Sequence, residues 1–261
     1  MAELKAPSAW RTVDFISDLH LQAAEPATFQ AWQHYMQGTP ADAVFILGDL
    51  FDVWVGDDSA GADLSAPPHA LNFEEQCAQV LQHTTARLAL FFMHGNRDFL
   101  IGPQFMALCH GTLLDDPTML AFAGRRWLLS HGDALCLDDL DYMQFRRQVR
   151  SAGWQQAFLA RPLAERQAIA RELRAQSRQQ HEQRKQSGAG DADVDSAAAR
   201  QWLQAAHAPT LIHGHTHRPA QHELGEGLQR VVLSDWDAAA LPARAEVLRL
   251  SAAGLQRIAL T

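Results

Sequence analysis

Six short apolar runs recur along the chain, each ended by a polar or glycine-containing turn: Val13-Asp14-Phe15-Ile16, Ala43 to Leu47, Leu88 to Met93, Trp127-Leu128-Leu129, Leu211-Ile212 and Val231-Val232-Leu233. Runs of this length, bounded by turn formers, read as buried strands. Helix-length segments stand between them, such as Pro26 to Gln37 and Phe73 to His83. The second opens on Glu74 and Glu75, as a helix N-terminus favours. Strand and helix in alternation predict an α/β fold.

The residues that follow the runs carry the chemistry: Ser17-Asp18-Leu19-His20, Gly48-Asp49-Leu50-Phe51-Asp52, His94-Gly95-Asn96-Arg97-Asp98, Ser130-His131-Gly132-Asp133 and Gly214-His215-Thr216-His217. In open α/β sheets the carboxyl ends of strands form the crevice where ligands bind, so these turns can converge. Asp18 and His20 are one residue apart in a stretch expected to be extended, which sends both side chains to one side. His215 and His217 repeat the spacing. Any one of these residues alone reads as a helix cap or a structural histidine. Their joint occurrence at five strand ends is the signal.

Asp18, His20, Asp49, Asn96, His131, His215 and His217 make seven nitrogen and oxygen ligands, too many for one tetrahedral zinc with an open position. Two ions sharing a carboxylate account for the number. A ligand set without thiolate suits Mn²⁺ or Fe²⁺, and two Mn²⁺ per chain is the expectation. Two ions roughly 3.5–4 Å apart can hold a hydroxide and neutralise a phosphoryl centre, so phosphoester hydrolysis is the predicted reaction. His94 and His213 are expected to brace the ligands, and Asp52, Asp98 and Asp133 to orient them or cap turns.

Composition bounds the rest. With 261 residues, 47% hydrophobic and 20% charged, one large globular domain over residues 1–261 is expected. The net charge of −8 argues against a protein that coats nucleic acid. The average hides an asymmetry: Tyr142 to Gln186 holds ten Lys/Arg against three Asp/Glu, or +7, leaving −15 elsewhere. This segment, built to meet anions, is read as a helical insertion at about 138–186 with apolar Phe145, Val149, Trp154, Phe158 and Leu159. The small, acidic run from Ser187 to Ala199 is read as a connection, and Ala245 to Leu260 as a closing antiparallel hairpin. Three cysteines without a CxxC pair fit neither a disulfide framework nor a zinc ribbon and suit a reducing cytoplasm. No window approaches the roughly 18 apolar residues of a membrane span, and Met1 to Arg11 lacks a signal-peptide pattern.

In the order Asp-x-His, Gly-Asp-x-x-Asp, Gly-Asn-x-Asp, His and Gly-His-x-His, residues 18 to 217 resemble the calcineurin-like metallophosphoesterase superfamily. That resemblance implies a sandwich of two mixed β-sheets flanked by helices. It places Asp18, His20, Asp49 and His217 on one metal, and Asp49, Asn96, His131 and His215 on the other. Within the superfamily, Ser17 to Leu21, Gly48 to Asp52, His94 to Leu100, His131 to Asp133 and His213 to Pro219 are similar to the UDP-2,3-diacylglucosamine diphosphatases of the lipid A pathway. The similarity extends through Cys136, Asp138-Asp139 and Tyr142.

This closer resemblance implies hydrolysis of UDP-2,3-diacylglucosamine to UMP and 2,3-diacylglucosamine 1-phosphate by attack on the α-phosphorus, at the cytoplasmic face of the inner membrane. Asp49 and Arg97 would be catalytic. Asn96, Arg97 and His215 would touch the diphosphate, while Asp139, Ser177, His181 and Arg184 would touch the glucosamine or its phosphate under a helical cap that receives the acyl chains. Cap cations would also attract an anionic leaflet. The superfamily commonly has His where this chain has Arg97. A phosphate leaving group with a second pKa near ~6 departs without a proton, so a permanent cation suits it better. A phosphoesterase for nucleotides or nucleic acid is disfavoured by Arg97 and by the −15 outside the insertion. A binding protein that has lost its chemistry is disfavoured by the intact ligand set.

Overall fold

The apolar runs form strands whose alternate residues serve two different cores. The computed structural model describes residues 1–61, 63–186 and 192–260, the side chains of 180–186 excepted. In its first half lie β1 (Ala2–Lys5), β2 (Thr12–Ile16), α1 (Pro26–Gly38), β3 (Ala43–Leu47), α2 (Phe73–Thr85), β4 (Ala89–Met93), α3 (Pro103–Leu108), β5 (Thr112–Leu114), β6 (Thr118–Phe122) and β7 (Arg125–Ser130). Three helices follow in succession, α4 (Leu140–Val149), α5 (Ala152–Leu159) and α6 (Leu163–Gln186), and then α7 (Ser196–Ala206). The chain closes with β8 (Thr210–His213), β9 (Ala220–Gly225), β10 (Leu228–Val232), β11 (Glu246–Ser251) and β12 (Gly254–Ala259).

Among the described residues these strands build two six-stranded mixed sheets, ordered β1-β6-β7-β8-β10-β9 and β12-β11-β2-β3-β4-β5. Parallel pairing aligns Phe15 with Phe45 and Phe45 with Phe91, while β11 runs antiparallel to β2 with Leu248 opposite Phe15. Val13, Phe15, Phe45 and Met93 thus share one core with Leu120, Trp127, Leu129 and Ile212 of the other sheet. Their neighbours Ile16, Val44, Ile46 and Phe92 point the other way, onto Trp32 and Met36 of α1 and Cys77, Val80 and Leu81 of α2. A strand buried on both faces reads as a continuous apolar run, which is why these were visible in the sequence. Leu128 and Leu211 on the outer face of the second sheet pack against Ala199 and Leu203 of α7.

Local chemistry starts the helices. Pro26 occupies the first turn of α1, and Asn72 and Glu75 form a reciprocal capping box on α2, with bonds of 2.8 and 2.7 Å. The predicted hairpin is present, with Ser251 opposite Gly254.

The connection expected from Ser187 to Ala199 needs correction at its end. The Asp195 side chain accepts from the Ala198 amide at 2.6 Å and starts α7 at Ser196, while Val194 and Ala199 are buried. The alanines of Ser-Ala-Ala-Ala are strong helix formers once an aspartate caps them.

Candidate metal centre

The five ligand-bearing turns meet at one end of the two sheets, but not by strand alternation. Asp18, His20, Asp49, His215 and His217 all have left-handed backbones, with φ of 54°, 48°, 55°, 67° and 53°. The extended Asp18–His20 and His215–His217 stretches expected from sequence are therefore corrected to turns in which both ends carry positive φ. Such a conformation costs a non-glycine residue on the order of 1–3 kcal/mol and persists where surrounding contacts enforce it. Here the Asp49 carbonyl accepts from the amides of both Leu19 and His20, at 2.9 and 3.0 Å. The turns also approach closely. A Cβ on Gly95 would collide with Asp49 Oδ1, and one on Gly214 with Asp18 Oδ2.

Single ligand atoms of Asp18, His20 and His217 lie within 4.8 Å of one another, as do those of Asp18, Asp49 and His131. Asp49 Oδ2 stands between the groups, 4.0 Å from His20 Nδ1 and 3.8 Å from His131 Nε2. Asp18 Oδ2 is held by the Ser17 hydroxyl at 2.6 Å and the His215 amide at 2.9 Å, while Oδ1 faces His217 Nε2 at 3.3 Å. His20 and His217 bring their Nε2 atoms within 3.2 Å, and the buried His20 Nδ1 has no hydrogen-bond partner.

The donor chemistry fits cations. His131 Nδ1 donates to the Leu47 carbonyl at 2.8 Å, which turns Nε2 toward the centre, where a bound ion would take the place of its proton. The Asn96 amide oxygen lies 3.0 Å from that nitrogen, 2.9 Å from His215 Nδ1 and 3.1 Å from Asp49 Oδ2. The amide meets these rings in either orientation, according to their tautomers. An amide oxygen, two ring nitrogens and a carboxylate oxygen converging on one point are a donor set that a divalent ion takes. Asn96, Asp49, His131 and His215 thus fit one ion, and Asp18, His20, His217 and Asp49 fit a second.

The field of the cluster is strong. Burial pushes the Asp18 pKa up, but the His217, His131 and His20 rings outweigh this and hold it well below the usual carboxylate range. Burial pushes His131 down, but the Asp49, Asp18 and Asp133 carboxylates raise it to about 9. His215, buried beside His131, falls to about 3.

Arg97 stands at the rim. Its amide donates to Asp49 Oδ1 at 2.8 Å and its Nε lies 4.0 Å from Asp49 Oδ2. Tyr142 on α4 stacks on the His215 ring, with centroids 5.9 Å apart, and its hydroxyl donates to Asp133 at 2.5 Å. Asp139 caps α4 through the Tyr142 amide at 3.2 Å. Ser177 is exposed on α6, and the side chains of His181 and Arg184 lie outside the described residues. His94 bonds the Ile101 carbonyl and His213 that of Gly214, so both serve the turns rather than the ligand cluster.

Sequence reasoning missed what much of the basic surplus does. Arg146 binds Asp133 at 2.8 Å, Arg150 the Gly95 carbonyl at 2.8 Å and Arg174 Asp52 at 2.5 Å. Arg166, only 2% exposed, binds Asp58 and the Val55 carbonyl. The reading that the whole segment awaits anions is corrected: these four cations fasten α4 and α6 to the sheets' turns. Burial of such long side chains was the missing information, since charge alone names no partner.

Residues 11–219 match the model of the calcineurin-like phosphoesterase family. A UDP-2,3-diacylglucosamine hydrolase of Chromobacterium violaceum is 47% identical over 86% of this chain and 90% of its own. Those of Aromatoleum aromaticum and Ralstonia nicotianae are 46% and 42% identical, over 85% and 91% of this chain and 88% of each relative. Among solved structures, an archaeal phosphodiesterase overlays with a TM-score of 0.47 and 10% identity, over 95% of this chain and 99% of that one. With a family match spanning most of its length and relatives this similar end to end, the chain belongs to the calcineurin-like phosphoesterase family and, within it, stands among the UDP-2,3-diacylglucosamine hydrolases.

Proposed function

We propose that this chain hydrolyses the pyrophosphate bond of UDP-2,3-diacylglucosamine, releasing UMP and 2,3-diacylglucosamine 1-phosphate, with two Mn²⁺ bound by the seven ligands. The observation that carries the reading is the convergence of the Asn96 amide with Asp49, His131 and His215 beside Arg97, in relatives' company that carries the same substrate in its name. A bound pair of divalent ions supplies nucleophilic water at neutral pH and Lewis-acid stabilisation of a phosphoryl centre.

The protein groups do the rest. Asp49, between the two ligand groups, fixes the separation at which both ends of the cluster engage one phosphate. Asn96 and His215 direct an amide oxygen and a ring nitrogen to the same focus. Tyr142 holds the His215 ring against rotation, and Asp133 holds Tyr142. Arg97 offers a fixed cation where negative charge develops on the departing phosphate, which needs no proton. Water adds to the uridine-side phosphorus and gives up a proton to solvent, the bond to the bridging oxygen breaks, and that oxygen leaves with the sugar phosphate.

Residues 138–186 serve in this account as a cap on a single domain, with Asp139, Ser177, His181 and Arg184 meeting the glucosamine or its phosphate. Leu140 is 75% exposed at the acidic start of α4, and Phe145, Leu159 and Leu173 are exposed near Arg147, Arg161 and Arg171 in the sequence. Apolar side chains near cations suit a diacyl anion and residence at the cytoplasmic face of the inner membrane. Among the described residues, no helix is long and apolar enough to cross a membrane.

Hydrolysis in ¹⁸O-labelled water tests the chemistry. Label in UMP supports attack at the α-phosphorus. Label in the sugar phosphate, or an intact substrate, contradicts it.

A further inference from the structure

Asp52 lies three residues beyond Asp49 on a turn held by the Leu21–Phe51 bridge and by its own amide, which donates to the Leu21 carbonyl at 3.2 Å. Its carboxylate is 15% exposed and meets two guanidiniums from distant parts of the chain. Oδ1 accepts from Arg97 Nη1 at 3.3 Å and from Arg174 Nη2 at 2.5 Å, and Oδ2 accepts from Arg174 Nε at 3.2 Å. Arg97 comes from the turn after β4, and Arg174 from the middle of α6.

Arg97 needs such a partner. Its Nε is 4.0 Å from Asp49 Oδ2, and Asp49 belongs to the set that fits divalent cations. A guanidinium beside bound cations is repelled by them, and a long, flexible arginine so placed turns toward solvent unless an anion holds it from the far side. Asp52 is that anion. Because it also binds Arg174, the trio of two guanidiniums and one carboxylate keeps a charge of +1 at the rim and ties α6 to Arg97. Arg178 faces the same carboxylate from the next turn of α6, and Glu25 faces it from the start of α1.

We infer that Asp52 is the positioning residue that holds the Arg97 guanidinium over the metal centre and makes its placement depend on α6 through Arg174. The inference rests on the proposed function for the identity of the substrate, and on geometry alone for the linkage.

Two readouts on the full chain test it. With UDP-2,3-diacylglucosamine and Mn²⁺, Asp52→Asn is expected to lower kcat about ten- to a hundredfold, the range for losing a hydrogen bond between charged groups, with little change in KM. Bound metal per chain stays at the wild-type value. Asp52→Asn added to Arg97→Met lowers kcat by less than about twofold more, because Asp52 acts through Arg97. Asp52→Glu, which keeps the charge, recovers part of the loss.

The second readout needs no substrate. Backbone hydrogen exchange in the Arg174 turn of α6 accelerates in Asp52→Asn and in Arg174→Met alike, while β2, β3 and β4 keep their protection. Unchanged kcat, additive losses from Asp52 and Arg97, a fall in bound metal in Asp52→Asn, or unaltered exchange at Arg174 would each overturn the inference. A wild-type chain that leaves the lipid intact counts against the proposed function, and the exchange result then decides the linkage by itself.

Discussion

The buried Asp98 carboxylate accepts the Asp49 backbone amide at 3.2 Å and so joins two of the ligand-bearing turns, because it also accepts the amides of Leu50 at 2.7 Å and Gly95 at 2.9 Å. Asp49 and Asn96 are forty-seven positions apart, and this one side chain sets their distance. Burial and the Asp49 charge push the Asp98 pKa up to about 7. Asp98→Ala strands these buried amides, at about 1–3 kcal/mol for each that water does not reach. We predict a loss of at least about 3 kcal/mol in chemical denaturation together with reduced bound metal. Loss of stability with full metal content would restrict Asp98 to the fold.

Asn96→Ala removes the amide oxygen that faces His131 and His215 without disturbing the Asp18, His20 and His217 group. The chain should then retain about one ion instead of two, and turnover should fall about a hundredfold or more, since even residues that only orient metal ligands are worth 10–100-fold. Elemental analysis after gel filtration checks the stoichiometry.

The metal-free chain should respond to pH in a way the loaded chain does not. Burial lowers the His131 pKa, and the neighbouring Asp49, Asp18 and Asp133 carboxylates raise it to about 9, above its unfolded value near 6.5. The resulting stabilisation is fully present below pH 6.5 and disappears as pH rises through 9, up to about 3 kcal/mol. Denaturation of the chelator-treated chain between pH 6.5 and 9 should show this decline. Metal affinity should rise over the same interval as the proton competes less.

Asp14 is a separate, structural polar core. Arg249 binds it through two bonds of 2.7 and 2.8 Å, and Tyr35 and Thr39 donate to it at 2.9 and 2.8 Å. Arg249→Met leaves a buried carboxylate without its cation and should cost about 3–5 kcal/mol. The folded variant should keep wild-type kcat, because none of these groups reaches the metal cluster.

Cys77, Cys109 and Cys136 are free and buried. Burial and the nearby Asp133 charge push the Cys136 thiol up to about 12, and burial raises the other two as well. None should react with a thiol reagent at pH 8 in the native chain, and all three should react after denaturation.

The strands that position the site were legible because burial on both faces leaves uninterrupted apolar runs, and the ligands because they follow those runs immediately. β1, β5 and β9 were not legible. Ala2-Glu3-Leu4-Lys5 is largely exposed, Thr112–Leu114 is three residues long, and Ala220–Gly225 lies polar at a sheet edge. Backbone handedness at Asp18, His20, His215 and His217 was also hidden, since residue spacing fits an extended stretch and a left-handed turn equally well. The partners of Arg146, Arg150, Arg166 and Arg174 came only with tertiary contacts, which bring together residues up to 122 positions apart.

UMP release by metal-stripped protein, with and without added Mn²⁺, tests the metal-dependent cleavage of a lipid-linked nucleotide pyrophosphate. UDP-2,3-diacylglucosamine is compared with UDP-N-acetylglucosamine, which lacks the ester-linked acyl chain. Manganese-dependent UMP release from the diacyl substrate, with little or none from the other, is the predicted result. No UMP from either substrate by a chain carrying two ions would contradict the account.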